Sequence, residues 1–206
     1  MATSLAAVTV PWRPLGVLVL ASAAIMGSPG PATVSLVAAG SAYGGRRSAP
    51  YLLGIIGGTA FVLAAVGCGI TAALFAMPAL KTALVVVSAL YILWLAYHLA
   101  TAPPLADNAG ADPPSFAGGL LLGVANPKAW VAIAAVFASS RLSDAAAADA
   151  IAKAATLTVM IVLINSAWLL AGASLAPLLR DPSRSRTVNI ALAVVLVAAS
   201  ASAIVH

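Results

Sequence analysis

The sequence predicts an all-α integral membrane protein, in which six transmembrane helices form two inverted three-helix repeats with broken helices 1 and 4. Three observations lead to this fold class. Hydrophobic residues make up 63% of the chain and charged residues only 7%, against about 25% charged residues in typical soluble domains. The apolar residues fall into six long runs. Two of these runs carry breaks rich in proline and glycine at corresponding positions.

The six runs predict six helices within a single transmembrane domain that covers residues 1–206. Cut at polar residues, glycines and prolines, the runs span about 15–40, 50–74, 79–100, 116–138, 152–178 and 187–205, and about 20 apolar residues suffice to cross a bilayer. Lipid offers no hydrogen-bond partner to the backbone, so each run should be helical. None of them alternates in the manner of a barrel strand.

The first run has one feature of a secretory signal peptide, since Arg13 precedes an apolar stretch from Leu15 to Ile25. Apolarity continues, however, past Gly30 and Pro31 to Ala39. The whole run is long enough to cross a membrane, which favours a retained helix over a cleaved leader.

The second and third runs carry packing signals. Gly54 and Gly58 lie four residues apart in the second run, a spacing that lets another helix approach closely. In the third run Tyr91, Trp94 and Tyr97 recur at helical spacing, as expected for packing or for anchoring at the membrane surface.

The connections hold nearly all the charge. The loop 101–115 contains four prolines, the loop 139–153 is mostly alanine and aspartate and is expected to form a short surface helix, and 180–186 is a charged turn. Lysine and arginine counts on alternating sides decide orientation. Five arginines (46, 47, 180, 184 and 186) face four basic residues (13, 81, 141 and 153), so the count favours a cytoplasmic location for the five-arginine side by one residue only.

The two breaks are the most informative feature of the sequence. Gly27-Ser28-Pro29-Gly30-Pro31 interrupts the first run and Asn126-Pro127-Lys128 interrupts the fourth, each near the middle. Proline removes a backbone donor and clashes with the preceding turn, so neither run should form one regular helix. The breaks lie in the first helix of each half, 1–100 and 116–206, and three helices per half invert the second half. This arrangement predicts an inverted repeat.

Transporters use broken helices in inverted halves to build a substrate site at the middle of the bilayer. The half-helix that begins after each break offers amide groups suited to a carboxylate, and the half-helix before it offers carbonyl groups suited to an ammonium. A zwitterionic amino acid needs both. We therefore predict a substrate-binding site at Pro29, Gly30, Pro31, Thr33, Asn126, Pro127 and Lys128.

Lys128 is the only charged residue predicted near the centre of a span, where burial of a charge is costly and a wet cavity is expected. Three roles are open to it: binding a substrate carboxylate, pairing with backbone carbonyls, or carrying a proton. No carboxylate lies within a predicted span. Ion coupling could instead use carbonyls together with Thr33, Ser35 and Asn165.

Other classes of function find less support in the residues. Lysine and arginine are scattered without a basic stripe, so nucleic acid is not expected as a partner. The single cysteine, Cys68, allows no CxxC metal site, and no cofactor is expected. We expect no enzyme, because Ser28 lacks the context of a nucleophile elbow. An intramembrane enzyme that pairs Ser28 with Lys128 and a purely structural membrane partner are the alternatives.

The motifs resemble those of the LysE/RhtB family of amino-acid and metabolite exporters. That family has a Pro-Gly-Pro break in helix one and an Asn-Pro-Lys break in helix four, matched here by 29–31 and 126–128. The glycine and arginine-rich segment 44–47 and the aromatic segment 91–96 are similar to the family's first loop and third helix.

The resemblance implies a secondary transporter with six helices, multi-pass in the bacterial cytoplasmic membrane, often a homodimer, that exports small molecules. Two positions depart from the family pattern. Ala32 stands where relatives often carry an acidic residue or an amide, and Ser88 stands where glycine is common. Because of Ala32 we expect a neutral amino acid or related metabolite as substrate rather than a cationic one. A cation exporter of the same superfamily is the alternative.

Overall fold

A computed structural model describes residues 12–70, 76–101, 112–175 and 182–205. Over these ranges eight helices can be bounded: α1 (Trp12–Ile25), α2 (Pro31–Tyr43), α3 (Ala49–Gly67), α4 (Pro78–Ala100), α5 (Phe116–Ala125), α6 (Pro127–Ala138), α7 (Ala146–Leu175) and α8 (Pro182–Val205). The ends of two predicted runs, 71–74 and 176–178, lie outside the described residues, as does most of the loop 101–115. All regular structure in the described ranges is helical.

The breaks fall where the sequence predicts them. The first run is divided into α1 and α2, and the fourth into α5 and α6, which are bent by 58° relative to one another. Proline is the first residue of both α2 and α6, a position that tolerates its missing N–H group.

The start of α7 differs from the prediction. The loop 139–153 does not carry a separate surface helix, because residues from Ala146 onward belong to α7 itself. Alanine has the highest helix propensity, so the alanine-rich stretch extends the helix. Asp149 and Lys153, four residues apart, form an ion pair of 2.8 Å on its first turns.

The surface of the described chain is apolar along the helices. Leu20, Leu53, Val131 and Leu163 are each more than half exposed, which is unfavourable in water and favourable against lipid. By length and composition α3 and α7 each qualify as a membrane span, and the bent pair of α5 and α6 qualifies as a third. These features identify a membrane protein, while the six-span topology stays a prediction.

Helix α2 lies at the centre of the packing. Every residue from Pro31 to Ala42 is buried, as expected for a helix that is surrounded by others on all sides. Its alanines, Gly40 and Ser41 keep it narrow, and α7, α8, α4 and α3 all pack against it. The first break therefore leads directly into the core.

Two apolar clusters lie on either side of the breaks. The α2 cluster joins α2 to the start of α3, the end of α7 and parts of α4, α5 and α8, with Leu36, Tyr51, Ile55, Ile92, Leu122, Leu169 and Leu196 among its members. The α1 cluster joins α1 and α6 to the end of α3 and the start of α7, through Leu18, Val62, Val66, Trp130, Ile133, Val136, Leu157 and Ile161. The region of the breaks lies between these two clusters.

Glycines bring two helix pairs into backbone contact. Between α3 and α5, a Cβ added at Gly58 would lie 2.5 Å from the Leu120 oxygen, and one added at Gly123 would lie 2.8 Å from the Ile55 oxygen. Between α2 and α7, a Cβ at Gly40 would lie 2.5 Å from the Leu169 oxygen. The close approach predicted from Gly54 and Gly58 is confirmed.

A matched pair of substitutions tests the α3 to α5 contact. Gly58→Ala should lower the free energy of unfolding in detergent by about 1–3 kcal/mol, because the added methyl group forces the two helices apart. Gly57→Ala, one residue away, places its Cβ 3.6 Å from a flexible Leu120 side chain, an ordinary contact. It should leave stability unchanged or slightly raised. Equal losses for both variants would contradict the inferred contact.

Candidate functional site

The first break is a non-helical segment of five residues, 26–30, between α1 and α2. The Ser28 hydroxyl donates to the Ile25 carbonyl at 2.8 Å. The Gly30 N–H donates to the Thr33 hydroxyl at 2.8 Å, which satisfies a backbone donor at the start of α2. The carbonyl oxygens of Gly27, Ser28 and Pro29 are left for partners from elsewhere in the chain.

The second break consists of a single residue, Asn126. Its N–H donates to the Leu122 carbonyl at 2.9 Å and thus ends α5. Its side-chain oxygen accepts from the Lys128 N–H at 3.1 Å and thus begins α6. The Trp130 indole donates to the Val124 carbonyl at 2.7 Å, which satisfies an acceptor at the end of α5. Most of the backbone groups opened by this bend are satisfied locally.

Lys128 joins the two breaks. Its Nζ donates to the carbonyl oxygen of Ser28, to the Ser28 Oγ at 2.8 Å and to the Pro29 carbonyl at 3.0 Å. An ammonium group has three N–H donors, so these acceptors can engage all of them. The side chain crosses over Gly30, where an added Cβ would lie 2.6 Å from Lys128 Cδ. Of the three roles that the sequence leaves open for Lys128, pairing with backbone carbonyls is the one that the structure shows.

Trp168 completes the first break. From α7, its indole N–H donates to the Gly27 carbonyl at 3.2 Å. The carbonyl groups of three consecutive residues, 27–29, are therefore met by side chains from the second half of the chain. The carbonyls of the first break are therefore occupied by the protein's own donors.

A cavity of about 50 Å³ lies beside this contact, which is enough space for water or for a polar group of a ligand. It is lined by the two breaks and by α2, α3, α6 and α7, through Met26, Gly30, Ala32, Thr33, Thr59, Asn126, Lys128, Ala129, Ala132, Ile133, Ile161, Ile164 and Asn165. Among the described residues of that lining, Lys128 alone is charged.

The structure divides the predicted site residues into two groups. Gly30, Thr33, Asn126 and Lys128 line the cavity. The three prolines, at 29, 31 and 127, shape the backbone around it, and Pro29 also supplies a carbonyl to Lys128. Whether a substrate binds there stays a prediction.

Ser35 lies away from the cavity, although the sequence grouped it with Thr33 and Asn165 as an ion site. Its hydroxyl donates to the Ala32 carbonyl at 2.8 Å and accepts from the Tyr51 hydroxyl at 3.1 Å. Thr59 and Trp168 were missed from sequence. The available signal was a lone polar group within an apolar run, which also marks Asn165.

The Lys128 contact predicts a change in local exchange. Replacing Lys128 with Met removes charge-assisted hydrogen bonds to three acceptors, each worth enough to change local opening by about tenfold or more. Hydrogen–deuterium exchange of the Gly27 and Ser28 amides should accelerate accordingly. Lys153→Met is the matched control, because Lys153 is a buried lysine that pairs with Asp149 at the start of α7, away from both breaks. Unchanged exchange in Lys128→Met would contradict the bridging role.

Comparison with known proteins places this sequence in a family. No curated protein and no solved structure matches the chain. The model of the LysE type translocator family matches residues 23–205, which include both breaks, Lys128 and all the helices from α2 onward. The chain therefore belongs to the LysE type translocator family.

Proposed function

We propose that this membrane protein is a secondary transporter that exports neutral amino acids or related small metabolites, multi-pass in the bacterial cytoplasmic membrane. Translocation of small molecules follows from the family. The observation that carries the finer proposal is the contact of Lys128 with the Ser28 and Pro29 carbonyls, beside a cavity that both breaks line. Such cavities are where transporters bind their substrates.

The charge of the cavity supports a substrate with a carboxylate. Within the described ranges its lining holds one lysine and no acidic residue. In surroundings of low dielectric constant this positive charge attracts an anionic group and repels a second cation more strongly than in water. An amino acid with an uncharged side chain fits that field better than lysine or arginine does.

The helix packing supports an inverted repeat. Matching α1–α4 with α5–α8 in order turns most helix contacts into other observed contacts. The pairs α3 with α7 and α4 with α8 map onto themselves, α2 with α7 maps onto α6 with α3, and α3 with α5 maps onto α7 with α1. In an inverted repeat the two halves have equivalent neighbours, so each half can adopt the packing of the other. This exchange is the basis of alternating access.

The two ends of the molecule differ in how tightly they are closed. Around the α2 cluster the helices meet backbone to backbone at Gly58, Gly123 and Gly40. Around the α1 cluster, α1 and α6 meet their neighbours through side chains such as Leu18, Trp130 and Ile133. Side chains can repack without separating backbones, so in this proposal the α1 and α6 end opens first, with the breaks as hinges.

Counterflow into proteoliposomes tests the proposal. Vesicles loaded with unlabelled alanine, threonine, leucine and lysine should take up labelled neutral amino acids faster than labelled lysine. Lys128→Met should abolish exchange, because the cavity loses the positive charge that attracts the carboxylate. Thr158→Val is the control and should exchange as the wild type does, since Thr158 is exposed on α7 and bonds only to Ala154 in its own helix.

Three outcomes would contradict the proposal. Faster exchange of lysine than of leucine would reject the neutral substrate class. If no amino acid exchanges while the vesicles release a labelled divalent cation, the cation exporter, which is the second candidate of the same superfamily, replaces it. Full activity of Lys128→Met would remove the cavity from the transport path.

A further inference from the structure

Two polar side chains in the cavity lie opposite the breaks, on helices that are continuous. Thr59 is on α3 and Asn165 is on α7. Both are buried, with 7% and 6% of their surface exposed. Burial of a polar group in an apolar setting is costly unless the group has a hydrogen-bond partner. Each of these two side chains is therefore expected to have one.

Asn165 has one half of its amide engaged. Its Nδ2 donates to the Ile161 carbonyl at 2.8 Å, one turn earlier in α7. The opposite amide orientation would set two carbonyl oxygens against each other, so this bond fixes Oδ1 as the atom turned away from the helix. Within the described residues no hydrogen bond reaches Oδ1. In the described residues, the fully enclosed side-chain oxygens without a hydrogen-bond partner are the Tyr91 and Ser140 hydroxyls. Oδ1 of Asn165 is not among them, so it is accessible, and because Asn165 lines the cavity it faces the cavity.

Thr59 shows the same pattern. Threonines inside helices commonly donate to the carbonyl four residues earlier, as Thr156 and Thr158 do in α7. In the part of the chain that the structure describes, the Thr59 hydroxyl makes no such bond. It is not fully enclosed either, and Thr59 lines the cavity. Among the described residues that line the cavity, Asn165 and Thr59 thus each offer an oxygen acceptor without a protein partner.

These acceptors resolve a difficulty at the breaks. The carbonyls of residues 27–29, in the first break, already bind Lys128 and Trp168. Among the described residues that line the cavity there is no carboxylate to bind an ammonium group in their place. An amino group that enters beside Lys128 must therefore find its acceptors among neutral oxygens, and those of Thr59 and Asn165 are available.

We propose that Asn165 Oδ1 and the Thr59 hydroxyl bind the amino group of the substrate while Lys128 attracts its carboxylate. The inference rests on the proposed function and narrows it to α-amino acids. The remaining wall of the cavity is apolar, formed by Met26, Ile133, Ile161 and Ile164. That wall fits a small aliphatic side chain, and a neutral amide and hydroxyl would hold an ammonium group without an ion pair.

The test compares ligands with and without an amino group. Binding of alanine, threonine and leucine to the purified full chain is measured beside that of propionate, 3-hydroxybutyrate and 4-methylpentanoate, the acids that lack the amino group. Thr59→Val and Asn165→Leu keep the side-chain volume and remove the acceptor. Each should weaken binding of the amino acids by about 10- to 100-fold, the range for a hydrogen bond to a charged group. Neither should change binding of the acids.

Controls separate a binding role from a structural one. Thr158→Val and Ser174→Ala remove exposed hydroxyls that bond within α7 and should bind every ligand as the wild type does. Lys128→Met should weaken the acids and the amino acids alike. Because each amino acid is compared with its own acid, a general loosening of the cavity would lower both affinities together.

The outcomes distinguish a failure of the proposed function from a failure of the proposed roles of Thr59 and Asn165. If the wild type binds no amino acid, the proposed function fails and this inference fails with it. If the wild type binds amino acids but Thr59→Val and Asn165→Leu weaken amino acid and acid equally, or change neither, only the inference is overturned. Selective loss of the amino acids supports it.

Discussion

The ammonium group of Lys128 and the carbonyl groups of the first helix break satisfy each other, and the central region is organised around that contact. A lysine inside the hydrocarbon region costs about 2.5–3.5 kcal/mol or more. Carbonyl groups released from a helix are costly there as well. Each feature is tolerable because the other is present. Gly30 provides the passage, since a side chain at that position would occupy the path of Lys128.

Close helix packing sets the distances that this contact needs. Backbone contact between α2 and α7, through Gly40 and Gly172, holds α7 near the first break, so that Trp168 reaches the Gly27 carbonyl. Contact between α3 and α5 sets α3 beside the second break in the same way. The glycines lie away from the cavity, yet they determine which polar side chains can face it.

Local chemistry made the broken helices predictable, whereas their partners depend on tertiary packing. Proline restricts the backbone and glycine frees it wherever they occur, so the end of α1, the start of α2, the end of α5 and the start of α6 could be anticipated from 29–31 and 126–128. The capping role of Asn126 is equally local, because asparagine before a helix-starting proline is a favoured N-cap. The choice of Lys128 and Trp168 as donors to 27–29 joins residues about 100 and 141 positions apart. The orientation of Thr59 and Asn165 towards the cavity could not be predicted either. Helices that are apolar on all sides have no hydrophobic periodicity that indicates which face points inward.

The order of synthesis gives the Lys128 contact a consequence for assembly. The carbonyl groups of Ser28 and Pro29 leave the ribosome about 100 residues before the lysine that binds them. At a synthesis rate of about 5–20 residues per second, the first half waits several seconds with an incomplete core. During that interval the chain depends on water, on the translocon or on a chaperone to shield these groups. The contact can therefore form only once the fourth predicted helix has been made, and a product that stops before Lys128 lacks the donor for both carbonyl groups.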